Sequence, residues 1–349
     1  MSDEFSRPPT LEDVAARAGV SRALVSIVIR GVPGASEQTR QRVLEIAADL
    51  GYRPDSRARL LAGRRSRLLG VTMALNNPFH ADVAEGIYAA AEPLGYQVVL
   101  SAVTSTRDSA RAIETLLEYR CEAAMLIGAL VRPRALDELA QQLPVVVVGQ
   151  PARSPHVDVV RAADGVGVRL AIDHLVGLGH RRIVHIDGGK APASTARRNG
   201  YRAAMQRAGL ADQIAVEPGG DTEEDGADAA RRLIEAGLPD AVLSYNDRSA
   251  VGLLDVFVRQ GVDVPDDISV VGYDDSQVAR LPYLRLTTIS QDATQLAELA
   301  VQHAVRRIEV RSGDGSVARP VADRETVLAP HLVIRATTQA RSPRTTGTR

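Results

Sequence analysis

From Leu68 onward the chain repeats one arrangement, in which short apolar runs rich in β-branched residues are separated by segments long enough to be helices. LLGVTMAL, QVVLSAV, AAMLIG, PVVVVG, DVVRA, RIVHID, AVLSYN and ISVVGYD are the clearest of these runs. A run that is apolar at nearly every position reads as a strand covered on both faces, and strand–helix alternation argues for parallel sheets with helices against them. With roughly ten strands expected, two doubly wound lobes are more economical than one sheet. A ligand of such a body sits in the crevice between the lobes, outside the C-terminal ends of the strands.

The first 67 residues are of another kind. Thr10 can cap a helix from Leu11 to Ala18, with Glu12 and Asp13 in its first turn at the favourable end of the dipole. Gly19 ends it, and Ser21 then caps a second helix, which Gly31, Pro33 and Gly34 terminate. Ser36 caps a third, in which Val43, Ile46, Ala47 and Leu50 recur at the spacing of one buried stripe before Gly51 closes it. Two short helices joined by a glycine-containing turn, with a third packed behind them, form a helix-turn-helix. The second of these helices carries Leu24, Val25, Ile27, Val28 and Ile29, more apolar surface than one stripe needs. If Val25, Val28 and Ile29 pack on the other two helices, then Arg22, Ala23, Ser26 and Ile27 face outward. On a helix in the major groove, Arg22 can pair with a guanine edge, Ala23 and Ile27 can meet a thymine methyl, and the hydroxyls of Ser21 and Ser26 suit phosphate oxygens. A three-helix bundle with Ile27 packed on another domain stays open from this pattern alone.

Charge is unevenly spread along the chain. The whole carries a formal net charge of -1, yet residues 1–67 hold 12 Arg against 8 acids. A basic head on an acidic body is the distribution expected when only the head meets a polyanion.

The run TLEDVAARAGVSRALVSIVIRGVPGASEQTRQRVLEIAADLGYRP, residues 10–54, resembles the DNA-binding headpiece of LacI-family transcriptional regulators. The likeness lies in its T-x-x-D-V-A-x-x-A-G-V-S opening, in Val25-Ser26, and in its S-x-x-T-R-x-R-V-L and L-G-Y-R-P close. It implies that Thr10, Arg30, Ser36, Thr39 and Tyr52 join Ser21, Arg22, Ala23, Ser26 and Ile27 at the DNA. Where many members carry Arg, this chain has Ile27, so the family's guanine contact is not carried over there.

The segment DSRARLLAG, residues 55–63, follows Pro54 and ends at Gly63, too short to be a stable helix alone. Such a segment can fold on DNA, its arginines, Arg57 among them, meeting phosphate. Its L-A-G is similar to the family's hinge helix, which implies Leu61 as a wedge in the minor groove.

For the body, the resemblance implies a fold like that of periplasmic sugar-binding proteins, with three crossings between lobes, placed near residues 163, 291 and 326. The expected organisation is therefore a disordered N-terminus (1–9), the headpiece (10–54), a hinge helix and linker (55–67), one lobe from 68–163 plus 292–325, a second from 164–291 plus 326–339, and a disordered tail (340–349). Candidate ligand contacts stand at strand ends: Asn77 and Phe79 in N-N-P-F-H, Asn246 and Asp247 in S-Y-N-D, and Asp274 in G-Y-D-D. Arg197, three residues before Gly200, and Gln291, at a crossing, match cleft positions of the family. Amides, carboxylates and a guanidinium together accept from and donate to adjacent hydroxyls, so a sugar or polyol is the expected effector. An Asp or Asn just after a strand is also a common helix N-cap, which is the competing reading of Asp247. Two departures from the family, Asp221-Thr222 where many relatives have an aromatic and Gly149 where some have an acid, weigh against a stacked hexose.

The whole resemblance implies a repressor with two heads on a pseudo-palindromic double-stranded DNA operator and a small-molecule effector between its lobes. The tail TTQARSPRTTGTR has no leucine heptad, so a homodimer is expected rather than a tetramer. The alternative is a small-molecule-binding protein of the periplasmic type with no gene-regulatory role. Against it stands the polar start MSDEFSRPPT, which lacks the apolar core of a signal peptide; with no membrane-length apolar run either, a cytoplasmic location and no membrane partner are expected. An enzyme is not expected: DGVGVRL (164–170) lacks the third glycine of a dinucleotide fingerprint and there is no G-x-S-x-G. His174, His180 and His185 lack metal-ligand spacing and Cys121 is the lone cysteine, so neither metal nor cofactor is expected, and Cys121 reads as a small buried hydrophobe.

Overall fold

Helix α1 (Leu11–Ala18) begins with a reciprocal cap, in which Thr10 Oγ1 accepts from the Asp13 amide at 3.3 Å and Asp13 Oδ2 accepts from the Thr10 amide at 2.7 Å. It stops at Gly19, whose φ of 63° costs a glycine nothing. Helices α2 (Arg22–Ile29) and α3 (Glu37–Asp49) follow, the second of them capped by Ser36. None of the three is long enough to persist alone. Val14, Ala18, Val25, Val28, Val43 and Ala47 bury one another at their centre, with Ile29, Ile46 and Tyr52 packed around them. The computed structural model describes residues 7, 9–29, 31–52, 65–129, 131–313 and 324–341. Arg30 and the expected hinge segment, with Arg57 and Leu61, lie outside the described residues.

The chain divides into two compact units at residues 66 and 67. In the second unit, strands β1 (Leu68–Ala74), β2 (Gln97–Val103), β3 (Ala123–Ile127), β4 (Val145–Val148), β5 (Asp158–Ala162) and β11 (Glu325–Leu328) form one sheet in the order β11-β5-β4-β3-β1-β2. All of its pairings are parallel. Strands β6 (Ile183–Ile186), β7 (Ala215–Glu217), β8 (Ala241–Leu243), β9 (Ser269–Asp274), β10 (Thr287–Ser290) and β12 (His331–Val333) form the other, in the order β12-β10-β9-β8-β6-β7. Only β12 runs antiparallel to its neighbour. Helices α4 (Pro78–Ala91), α5 (Ser109–Glu118), α6 (Pro133–Gln142) and α11 (Ala293–Ser312) cover the first sheet. Helices α7 (Asp164–Gly177), α8 (Ser194–Arg207), α9 (Glu223–Ala236) and α10 (Asp247–Arg259) cover the second.

Strand residues alternate between the two cores of the first lobe. Val71, Met125, Ile127 and Val148 point toward α4 and α11, while Ala124, Leu126 and Val147 point toward α5 and α6. Buried on both faces, these strands have no polar side to show, which is why they read as continuous apolar runs.

The chain passes between lobes at 163, at 291 and at 329–330. The third passage lies beyond the expected 326 because all four residues of β11 pair with β5, from Glu325 against Val159 to Leu328 against Ala162. The second lobe also extends further than 339. The Arg341 amide donates to Leu178 O at 2.9 Å and its guanidinium pairs with Asp240 at 3.2 Å, so Ala340 and Arg341 belong to the fold and not to a loose tail.

Helices α9 and α10 touch backbone to backbone. A Cβ added at Gly252 would lie 1.8 Å from Glu223 O, and one at Gly226 would lie 2.0 Å from Ser249 O. Any side chain there must wedge the two helices apart, and both carry cleft-lining loops at their N-termini. Gly252→Ala is therefore expected to destabilise the body by about 2 kcal/mol. A urea midpoint equal to the parent's would contradict this account of the helix contact.

Candidate functional site

The headpiece offers one face of α2. Val25 and Val28 are fully turned to the core, Arg22 and Ala23 are exposed, and Ser26 and Ile27 are half-buried. Ser21 Oγ accepts the Leu24 amide at 3.2 Å, so the hydroxyl both starts the helix and keeps its proton for another acceptor. Arg22 stands 3.4 Å from Glu12, an exposed pair held too weakly to fix the guanidinium. Ile27 leans on the Gly34 loop, where a Cβ would meet its Cγ2 at 3.4 Å, and so presents only part of its surface outward. Thr10 and Ser36 are capping residues, and Thr39 Oγ1 lies 2.8 Å from Ser36 Oγ. Tyr52 packs on the headpiece core, which leaves it less to offer DNA than the other expected contacts.

In the second unit, the C-terminal ends of both sheets enclose a cavity of about 590 Å³. Asn77, Phe79, Arg197, Asn246, Asp274 and Gln291 all line it. The elements explain why they stand there. Asn77 caps α4, its side-chain oxygen accepting the Phe79 and His80 amides at 3.1 and 3.3 Å. Asn246 caps α10 by accepting the Ser249 amide at 2.8 Å, and its amide nitrogen donates to Asp221 O at 3.1 Å. Phe79 is 5% exposed and belongs to the first lobe's core, so only its edge reaches the cavity.

Asp247 does not line the cavity. Its carboxylate turns into the second lobe, where Oδ2 accepts the Ser276 amide and hydroxyl, both at 2.8 Å, and Oδ1 accepts the Thr288 hydroxyl at 2.6 Å. Burial raises its pKa to about 6 although these bonds favour the anion. The residue ties α10 to the turn after β9 and to β10; the cap of that helix is Asn246, so Asp247 is neither the N-cap expected of it nor a residue of the cavity lining.

Arg197 organises the cavity's charge. It is 4% exposed; Nε donates to Asp164 Oδ1 at 2.9 Å, Nη1 donates to Tyr245 O at 2.7 Å, and Nη2 lies 3.7 Å from Asp274 Oδ1. Its guanidinium carbon is 3.6 Å from the centre of the Tyr273 ring. Burial opposes the charge, but Asp164, the two tyrosines and Asp274 together outweigh it, and Arg197 stays a cation. One buried cation thus faces two carboxylates. Asp164 is the hydrogen-bonded partner, and burial pushes Asp274 from the ordinary 3.8 up to about 8, with Arg197 drawing it down and Asp247 driving it up. Asp274 holds a proton at neutral pH and can donate it to a ligand oxygen. Gln291 Nε2 donates to Asp274 Oδ1 at 2.7 Å, while Gln291 Oε1, buried, has no partner among the described residues. Asp274 also holds a φ of 121°, a strained backbone of the sort that collects at functional sites.

Sequence reasoning missed His80, Tyr245, Asp164 and Lys190, and marked Asp221 only as a departure from the family. His80 Nδ1 accepts the Ala74 amide at 3.2 Å and burial lowers its pKa to about 4, so a neutral ring faces the cavity. The N-N-P-F-H and S-Y-N-D runs contained His80 and Tyr245 beside residues that were singled out. Lys190 and Asp221 lie on loops, where no periodicity marks them.

Two family descriptions match the chain: bacterial regulatory proteins, lacI family, over residues 10–55, and periplasmic binding protein-like domain over residues 172–338. The ribose operon repressor of Escherichia coli (strain K12) is 34% identical over 307 residues, which is 86% of this chain and 93% of the repressor. Among solved structures, a LacI transcriptional regulator from a Rhodococcus species is 50% identical and superposes with a TM-score of 0.73, covering 78% of this chain and 98% of that one. The lac repressor dimer bound to operator and the anti-inducer ONPF is 28% identical with a TM-score of 0.80, covering 96% of this chain and all of that one, 100%.

The proton on Asp274 gives a prediction with a definite sign. A carboxyl whose pKa rises from 3.8 to about 8 on folding contributes stability that is complete below about pH 4 and is lost as pH climbs to about 8. Asp274→Asn, which mimics the protonated acid, is expected to melt progressively higher relative to the parent from pH 5 to pH 8. A constant difference across that range would show that Asp274 ionises normally.

Proposed function

The chain belongs to the lacI family of bacterial regulatory proteins, and from that premise we propose that it represses transcription by laying the outward face of α2 on operator bases, with the ligand of the cleft setting its affinity for DNA. It is a DNA-binding transcriptional regulator with a periplasmic-binding-protein-like effector body. A binding protein with no role in gene regulation is set aside, because the match over residues 10–55 takes in the whole headpiece.

The observation that carries the reading is the division of α2: Val25 and Val28 go to the core, while Arg22 and Ala23 go to solvent at the N-terminal end of a short helix. That is the end from which such a helix reaches base edges in the major groove. The lac repressor dimer on its operator supports two copies of this chain reading two half-sites, as the symmetry of a homodimer requires.

In the cleft, a protonated Asp274, the free acceptor of Gln291, and Asn246 present donors and acceptors side by side, which suits adjacent hydroxyls. The ribose operon repressor is named for a sugar operon, which fits a sugar or polyol here. Arg197 contributes by holding Asp274 at 3.7 Å, with two of its five N–H donors engaged by Asp164 and Tyr245. The relatives are regulators of transcription, and no catalytic step is assigned to the cleft. A cytoplasmic location follows from the DNA partner; among the described residues no helix is long and apolar enough to cross a membrane.

Arg22→Ala is expected to weaken binding to the upstream region of the protein's own gene by about 10-fold or more in a mobility-shift titration at fixed salt, with the melting temperature unchanged. Undiminished discrimination against a scrambled duplex would show that α2 presents another face to DNA.

A further inference from the structure

A second cavity, of about 440 Å³, opens beside the cleft on the first lobe. The two spaces share a pair of strand ends but use opposite faces of them: Ile127 and Val148 line the cleft, and their neighbours Leu126 and Val147 line the second cavity. Gln150 closes the wall between, its side chain donating to Ala129 O at 2.6 Å. Leu136, on α6, completes an apolar floor.

The rim of this cavity is cationic. Arg132 and Arg153 both line it, and no acid does. Among the described residues neither guanidinium has a hydrogen-bond or ion-pair partner. Of the nearby acids, Asp137 is held next to the rim by the Ser154 hydroxyl at 2.5 Å without pairing with either arginine, and Glu138 pairs with Arg134 at 3.0 Å. Arg132 occupies the N-cap position of α6, which has no side-chain cap, so a cation stands at the positive end of a helix dipole. That placement is unfavourable until an anion arrives.

We propose that this cavity is a second ligand site, distinct from the cleft, which takes a small organic anion: a carboxylate or phosphate held by the forks of Arg132 and Arg153, with an apolar body over Leu126, Leu136 and Val147. The planar, five-donor guanidinium matches either acidic group, and the floor adds affinity only for a ligand with an apolar body to bury. Because the floor strands also line the cleft, an occupant presses on the back of the effector site.

The test is calorimetric titration of the full chain with 1-naphthyl phosphate, inorganic phosphate and 1-naphthol. The expected result is saturable binding of 1-naphthyl phosphate at least ten-fold tighter than either fragment. Both arginines are exposed, so Arg132→Ala with Arg153→Ala is expected to leave melting temperature and DNA binding intact while weakening that binding ten-fold or more. A second variant, Ala152→Phe, fills the cavity without touching charge and is expected to block the same ligand. No saturable binding of 1-naphthyl phosphate, inorganic phosphate binding equally well, or undiminished affinity in the double variant would each overturn the proposal, the last by placing the anion on the headpiece or in the cleft. None of these results bears on whether α2 reads DNA.

Discussion

The structure depends first on how three short helices share one small core. Val14, Ala18, Val25, Val28 and Val43 satisfy each other so completely that α2 has a single way to lie. Once Val25 and Val28 are inside, a period of 3.6 residues turns Ala23 and Ile27 away from the core and leaves Arg22 exposed at the edge of that face, whatever the sequence of the operator. The outward face is thus fixed by burial on the inward one, and its chemistry is free to vary. Ile27 shows the limit of that freedom: it is partly buried and lies against the Gly34 loop, so the position trades reading surface for support of the turn.

In the body, the corresponding constraint is charge parity around Arg197. A guanidinium that is 4% exposed persists only with compensation, and two carboxylates compete to supply it. Their positions are instructive. Asp164 is the first residue after one passage between lobes and Gln291, which bonds to Asp274, stands at another. The cluster that shapes the cleft therefore grips two of the three connections through which the lobes are joined. A ligand oxygen that accepts a hydrogen bond from Asp274, or a ligand donor that meets Gln291 Oε1, changes the hydrogen bonding at those connections, which is a physical route from occupancy to lobe position.

Much of this was legible in the sequence. Capping residues and glycines marked all three headpiece helices, because short helices must begin and end with side chains that satisfy their free backbone groups. The eight apolar runs marked eight strands, most of them buried on both faces; β2, at the edge of its sheet, is the exception, with Leu100 exposed. The short strands Glu325–Leu328 and His331–Val333 were not legible, having too few residues to show a pattern, and the third passage was misplaced as a result. Site residues divided along a similar line. An acid or amide after a strand announces itself, but whether it faces a cleft or the core depends on the turn that follows: Asn246 lines the cavity while Asp247, one residue on, is swallowed by Ser276 and Thr288. His80 and Tyr245 are visible only once two distant loops are brought together.

The central claim, that the exposed side of α2 recognises a particular sequence in duplex DNA, is tested most directly by fluorescence anisotropy of the full chain with two labelled duplexes at one stated salt concentration. One carries a pseudo-palindrome from upstream of its own gene and the other the same bases in random order. The account predicts an affinity for the first greater by on the order of 10³ or more, falling steeply for both as salt rises. Equal affinity for the two at every salt concentration would contradict it.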